Sequence, residues 1–176
     1  MRIIAGSHRG RVIRPPNNLP VRPTTDMAKE SLFNILRNLV DFEGVSAMDL
    51  FSGTGSIAFE LISRGCEQVV AVDQNRSCAD WIRKAAGQFG MNNLSVQQSD
   101  SFKFIARSFK SFDVIFADPP YDMENIEDLP DAVFNSSVLK PEGLLVIEHS
   151  RRIDFTAHPH FFDHRKYGKV NFTFFK

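Results

Sequence analysis

The sequence predicts an α/β fold: a mostly parallel sheet layered with helices and closed by an antiparallel C-terminal hairpin. Three observations lead there. From Val45 onward, short apolar runs alternate with amphipathic stretches, and strands spaced this way by helices form βαβ units covered on both faces. The first run passes into Ser52-Gly53-Thr54-Gly55, a strand-to-helix turn. At the end of the chain, Val170, Phe172 and Phe174 alternate with Asn171 and Thr173 after Tyr167-Gly168-Lys169, the pattern of a hairpin.

The elements follow in order. Arg2 to Ala5 and Arg11 to Arg14 read as two short strands, with Gly6 and Gly10 bracketing the turn. Pro15-Pro16-Asn17-Asn18 and Pro20 impose an extended connection, because proline fixes φ and removes a donor. Ala28, Leu32, Ile35, Leu36 and Leu39 make one apolar stripe, predicting a helix from about Asp26 to Val40. Five strands are then expected at Ala47–Phe51, Val69–Val72, Leu94–Val96, Phe112–Ala117 and Leu144–Ile147. Helices are expected to start near Gly55, Asn75, Ser101 and Asn125. Many of the 17 phenylalanines fall in these strand runs and the closing hairpin, and those are assigned to core packing.

Composition bounds the function. The 176 residues suffice for one domain with a small appendage. No apolar run approaches the roughly 20 residues that span a bilayer, and the start lacks a long apolar stretch. A cytoplasmic protein is the expectation. Cys66 and Cys78 form no CxxC pair, so ordinary reduced thiols are expected. His158-Pro159-His160 with Asp163 and His164 does not have a zinc spacing, and no metal is expected.

The 21 Lys+Arg balance 21 Asp+Glu, which argues superficially against a nucleic-acid partner. The charge is unevenly spread. Before Asp26 there is no acid, but there are Arg2, Arg9, Arg11, Arg14 and Arg22. Taking these five away leaves 16 bases against 21 acids, so the remainder carries about −5. A basic arm over residues 1–24, joined to a larger domain over 25–176, is therefore expected. Asp113 to Asp131 holds seven acids and no base, which would keep a nucleic acid off that flank.

Two motifs carry the chemistry. Gly53 and Gly55 leave the loop backbone open to a ligand, with the N–H groups of the next helix pointing outward. Asp73 lies 18 residues beyond Gly55 at the end of the next strand, where a carboxylate can accept both hydroxyls of a ribose. Gly53-x-Gly55-x-x-Ala58 also fits a dinucleotide fingerprint, so NAD is one reading. Asp49, four residues before Gly53, suits a ligand with a cationic amine better than a pyrophosphate. The second motif, Asp118-Pro119-Pro120-Tyr121, follows the fourth strand. Asp118 and the Pro119 carbonyl can accept hydrogen bonds from an exocyclic amine on a nucleobase. Tyr121 offers a stacking face, worth about 1–3 kcal/mol per base in single-strand binders.

These motifs together resemble the Rossmann-like class I S-adenosylmethionine-dependent methyltransferases acting on exocyclic amines. Met1-Arg2-Ile3-Ile4-Ala5-Gly6, Gly10-Arg11, Arg22-Pro23-Thr24-Thr25-Asp26 and Arg165-Lys166-Tyr167-Gly168 are similar to the RsmD family of 16S ribosomal RNA guanine-N2 methyltransferases. Met27-Ala28-Lys29 departs from the arginine that family shows early in this helix.

The resemblance implies roles. Asp118, Pro119, Pro120 and Tyr121 would hold the target guanine, with Asp118 also near the cofactor. Asp49, Phe51, Gly53, Thr54, Gly55, Asp73, Asp100 and Ser101 would bind S-adenosylmethionine, although Asp100 reads equally well as a helix N-cap and Ser101 is a candidate cap. Arg9, Arg11, Arg14, Arg22, Thr24 and Thr25 would face 16S ribosomal RNA, in a 30S subunit or assembly intermediate. Trp81 is assigned to packing. A DNA adenine-N6 methyltransferase and a catalytically silent nucleic-acid-binding module are the alternatives.

Overall fold

The computed structural model describes residues 1–21, 25–168 and 170–176. The elements are α1 (Asp26–Leu36), β1 (Ser46–Leu50), α2 (Ser56–Ser63), β2 (Gln68–Asp73), α3 (Arg76–Phe89), β3 (Leu94–Gln98), α4 (Ser101–Arg107), β4 (Phe112–Ala117), α5 (Leu129–Phe134), β5 (Leu139–His149), β6 (Phe161–Tyr167) and β7 (Val170–Phe175). The strands form one seven-stranded sheet in the order β3-β2-β1-β4-β5-β7-β6. β3, β2, β1, β4 and β5 pair in parallel, and β7 pairs antiparallel with both β5 and β6. The α/β expectation and the closing hairpin are both met.

Alternation along each strand divides the core into two layers. Ala47, Val69, Ala71, Val114, Phe116, Val146, Phe172 and Phe174 face one cluster, which includes Leu32, Phe33 and Leu36 of α1, Phe59 of α2 and Ile82 of α3. Met48, Leu50, Val70, Val72, Ile115, Leu145, Ile147 and Phe175 face the other, with Ile105 of α4 and Leu129 and Val133 of α5. The parallel strands are buried on both sides, which explains their nearly continuous apolar runs.

The ends of the chain refine the expectations. Two N-terminal strands were expected, but only a single antiparallel bridge, Arg2 to Val12, forms there. The reason is competition for donors. The Ile4 and Ala5 N–H groups point at the Glu60 carboxylate, 2.8 and 3.0 Å away, instead of across the hairpin. The segment still folds back on itself through Ile3 N–H to Arg11 O and Ile13 N–H to Met1 O, each 2.9 Å. Ile3 and Ile13 are buried in the first core cluster. Gly6 sits flat on α2, where an added Cβ would fall 1.6 Å from Ser63 O. α1 stops at Leu36, short of the predicted Val40, because its last turns tighten into Asn38 N–H to Ile35 O and Leu39 N–H to Leu36 O.

Lys29 explains the unusual start of α1. Its ammonium is only 1% exposed and donates to Arg2 O at 2.7 Å and Ser56 Oγ at 3.1 Å, with Glu60 Oε2 at 3.9 Å. This residue pins the helix to the hairpin and to α2. It does not face solvent. Among the described residues, no helix is long and apolar enough to cross a membrane.

Candidate functional site

The strand order reverses direction between β1 and β4, since successive parallel strands run outward to either side of that pair. Open α/β sheets bind ligands in the crevice at such a switch, beyond the strand C-termini. Both sequence motifs lie there. Leu50 pairs with Ala117, so the glycine loop after β1 and Asp118 after β4 leave the sheet side by side.

The loop is built by conformation and close packing together. Phe51, Gly53 and Gly55 have φ of 62°, 53° and 80°. The positive φ of Phe51 is costly for a residue with a side chain, and such strain collects at ligand-binding turns. A Cβ on Gly55 would lie 2.8 Å from Phe59 Cε2 and 3.0 Å from Ile82 Cγ1, whereas one on Gly53 would make ordinary contact with Val21. Gly55 is thus fixed by packing, while Gly53 is fixed by its turn. Val21 covers the Gly53 side of the loop. The Trp81 indole N–H donates to Thr54 O at 3.1 Å, so this partly buried ring ties α3 to the loop as well as packing on the core.

Four carboxyls converge on the crevice. Asp49 is 1% exposed, and its Oδ2 accepts the Ala58 N–H at 3.1 Å in the first turn of α2. Burial, followed by repulsion from Asp118 and Asp73, pushes its carboxyl well above the usual range despite that hydrogen bond. Asp73 accepts from the Gly53 N–H and the Asn75 N–H, both at 2.8 Å, and so braces the loop directly. Asp118 keeps some exposure at the crevice mouth, yet the surrounding protein still raises its carboxyl. Glu148, at the end of β5, is the fourth. Burial and then Asp118 raise its carboxyl, against a hydrogen bond from Tyr121. Ala117 pairs with Ile147, which sets Asp118 beside Glu148 on neighbouring strands.

Asp100 is the N-cap of α4, accepting the Lys103 N–H at 2.9 Å; Ser101 is buried as the first helical residue and is not the cap. Pro119 is buried, while Pro120 and Tyr121 are exposed. The Tyr121 hydroxyl reaches Glu148 Oε1 at 3.4 Å. Thr25 caps α1 by accepting the Ala28 N–H. Arg22 and Thr24 lie outside the described residues.

The hairpin arginines are not gathered at the crevice. Arg9, Arg11 and Arg14 are exposed. The hairpin runs along α2, with Arg2 O near Ser56 through Lys29 at one end and Ser7 against Ser63 O at the other. Eight helical residues at 1.5 Å each separate those ends by about 12 Å. The turn bearing Arg9 therefore lies at the end of α2 away from the glycine loop, and the Arg11 guanidinium stands 5.5 Å over the Phe89 ring at the end of α3.

The sequence reading passed over Glu148. It closes the apolar run Leu144–Ile147 just as Asp73 and Asp118 close theirs, and that shared pattern was the available clue. Cys66 and Cys78 are buried free thiols, raised to about 12 and about 11, chiefly by burial. His158 contacts Asp131 and His160 contacts Lys176 O. Among the described residues, no group of His, Cys, Asp or Glu could hold a metal ion.

A family model described as conserved hypothetical protein 95 matches residues 1–176. This chain belongs to that family. The family is the one its motifs resemble, and relatives in it carry the corresponding name. The chain is 31% identical over 152 residues to ribosomal RNA small subunit methyltransferase D of Haemophilus influenzae, covering 84% of this chain and 78% of that protein. Its identity to the protein of the same name in Escherichia coli is 28% over 148 residues, covering 84% and 74%. The solved structure of yhhF from Escherichia coli, designated a methyltransferase, superposes with a TM-score of 0.86 at 25% identity, over 99% of this chain and 96% of that one. The class I methyltransferase fold expected from the motifs is met.

Proposed function

We propose that this chain transfers a methyl group from S-adenosylmethionine to the exocyclic N2 amine of a guanine in 16S ribosomal RNA. The observation that carries the proposal is the placement of Asp118 beside the glycine loop, at the sheet's switch point, among carboxyls with no cation salt-bridged to them among the described residues. Family membership and the names of the relatives support it.

The donor set fits this cofactor. Asp118 and Asp73 both repel Asp49, a setting that favours a ligand bearing a sulfonium and an ammonium and disfavours a pyrophosphate. S-adenosylmethionine supplies, when bound, a methyl group on an already activated sulfur. Phe51, Gly53, Thr54 and Gly55 would line its methionine part, with Asp49 beneath the loop. Asp73 would take the ribose hydroxyls with lone pairs left over from its two backbone bonds. Asp100 and Ser101 would border the adenine.

The protein's own work is positioning and electrostatics. Asp118 and the Pro119 carbonyl accept hydrogen bonds from the guanine amine and hold its nitrogen toward the methyl group. Tyr121 stacks on the base. The base must be unpaired or flipped to enter. Arg14, with Arg22, Thr24 and Thr25 preceding or opening α1, serves the nucleotides near the target. Arg9 and Arg11, a helix length away, serve phosphates of a more distant part of the RNA, giving salt-sensitive affinity. A 30S subunit or assembly intermediate provides such an extended surface. In this reading residues 1–24 act as the RNA arm and 25–176 as the catalytic domain, in the cytoplasm.

The test is transfer of a tritiated methyl group onto 30S subunits, free 16S RNA, tRNA and duplex DNA, followed by nucleoside analysis. N2-methylguanosine from the ribosomal substrates is the expected product. N6-methyladenosine, or label in DNA only, would overturn the reading. An Asp118→Ala protein that keeps near wild-type transfer would remove the role given to Asp118.

A further inference from the structure

We propose that Glu148 is a second base-recognition residue, taking the N1–H of the target guanine while Asp118 takes the N2 amine. The inference rests on the guanine reading above and adds the source of its base specificity.

Glu148 is buried to 5% exposure, yet its Oε2 has no hydrogen-bond partner. Its other oxygen receives the Tyr121 hydroxyl, so one oxygen is oriented by the motif and the other is left over. Among the described residues no lysine or arginine forms a salt bridge with it. A buried acceptor without a donor is costly, and native chains rarely keep one without a use. The free oxygen stands at the end of β5, next in the sheet to Asp118, in the crevice where the target base is placed.

The chemistry of the base selects the ligand. On its Watson–Crick edge, guanine presents two adjacent donors, N1–H and the N2 amine. Adenine and cytosine each present an amine beside a bare ring nitrogen, which is an acceptor. When both are ionised, the two carboxyls side by side match guanine at both positions and set an acceptor against an acceptor for the other bases. Sites that leave a buried polar group unpaired discriminate strongly against the wrong ligand. The Tyr121 link also couples base stacking to this contact, since one side chain would cover the base and orient its acceptor.

Glu148→Ala and Glu148→Gln proteins, assayed as full chains on 30S subunits, test the proposal. Loss of a hydrogen bond to a charged acceptor predicts a fall in kcat/KM for 30S of about 10- to 100-fold for Glu148→Ala. Glu148→Gln, which retains an acceptor, should recover part of it. Affinity for S-adenosylhomocysteine should stay within about twofold, and Tm should hold or rise, because a buried unpaired carboxyl has been removed. Unchanged transfer by Glu148→Ala overturns the proposal. So does a loss matched by equal losses of cofactor affinity and Tm, which is the signature of a structural role. A wild-type protein that does not methylate guanine N2 overturns the functional reading itself, and is recognised before any variant is measured.

Discussion

Trp81 donates its indole N–H to the Thr54 carbonyl at 3.1 Å, joining the second helix after the glycine loop to the middle of that loop. The bond spans 27 residues of sequence and holds the backbone on which a ligand would rest. Trp81→Phe keeps the ring and loses the donor. We expect a stability loss of about 1 kcal/mol and weaker cofactor binding, read by urea denaturation and by calorimetry with S-adenosylhomocysteine. A variant with wild-type affinity would show that the loop holds its shape without this tie.

The two loop glycines should respond differently to alanine. Gly55 has φ of 80° and no room for a Cβ beside Phe59 and Ile82, so both conformational and packing costs apply, about 2–4 kcal/mol together. Gly53 has room and bears only the conformational cost, about 1–2 kcal/mol. Denaturation midpoints of the two variants should rank in that order.

Stability of the ligand-free protein should depend on pH through the crevice acids. Asp49, Asp118 and Glu148 are all raised, burial being the main cause. A raised acid binds more protons in the folded chain than in the unfolded one. Its contribution is fully present below the ordinary carboxylate range and is lost as pH rises through the raised values. Tm should therefore fall from the ordinary carboxylate range up to about pH 8, and Glu148→Gln should flatten the slope. A cationic ligand should show the reverse trend, with S-adenosylmethionine raising Tm more at the higher pH and NAD giving no shift.

Glu60 should be the least replaceable charge outside the crevice. Its fully buried carboxylate accepts from Ile4 and Ala5, and from Arg64 Nε at 2.8 Å, beside the Lys29 ammonium. Glu60→Ala leaves Lys29 buried without its partner, a change that costs about 3–5 kcal/mol. Trypsin should then cleave at Arg9 and Arg11 faster than in the wild-type chain, and the cleavage rate is the measurement to make.

The parallel strands were legible because their burial on both faces writes itself as apolar runs, and the acids that close them mark the ligand edge. Asp118 could be found because it opens a turn motif, and Asp73 because it ends the strand that follows the glycine loop. Glu148 closes an apolar run in the same way, but no motif stands beside it, and its place next to Asp118 comes from the pairing of Ala117 with Ile147, which is a property of strand order. The hairpin was only half legible. Its glycines announced the turn, but the diversion of two of its N–H groups to Glu60 depends on a residue more than fifty positions away. Lys29 was hidden for the same reason, as a cation in a helical stripe usually faces water.

The attachment of the hairpin to Glu60 has a bearing on the order of assembly. Ile4 and Ala5 are made 56 and 55 residues before their acceptor. While the chain is being synthesised these amides have only water to bind, and Gly6 has no helix to lie against. The hairpin thus waits for α2 as the chain leaves the ribosome, and any delay in making residues 56–63 prolongs the exposure of Ile3 and Ile13.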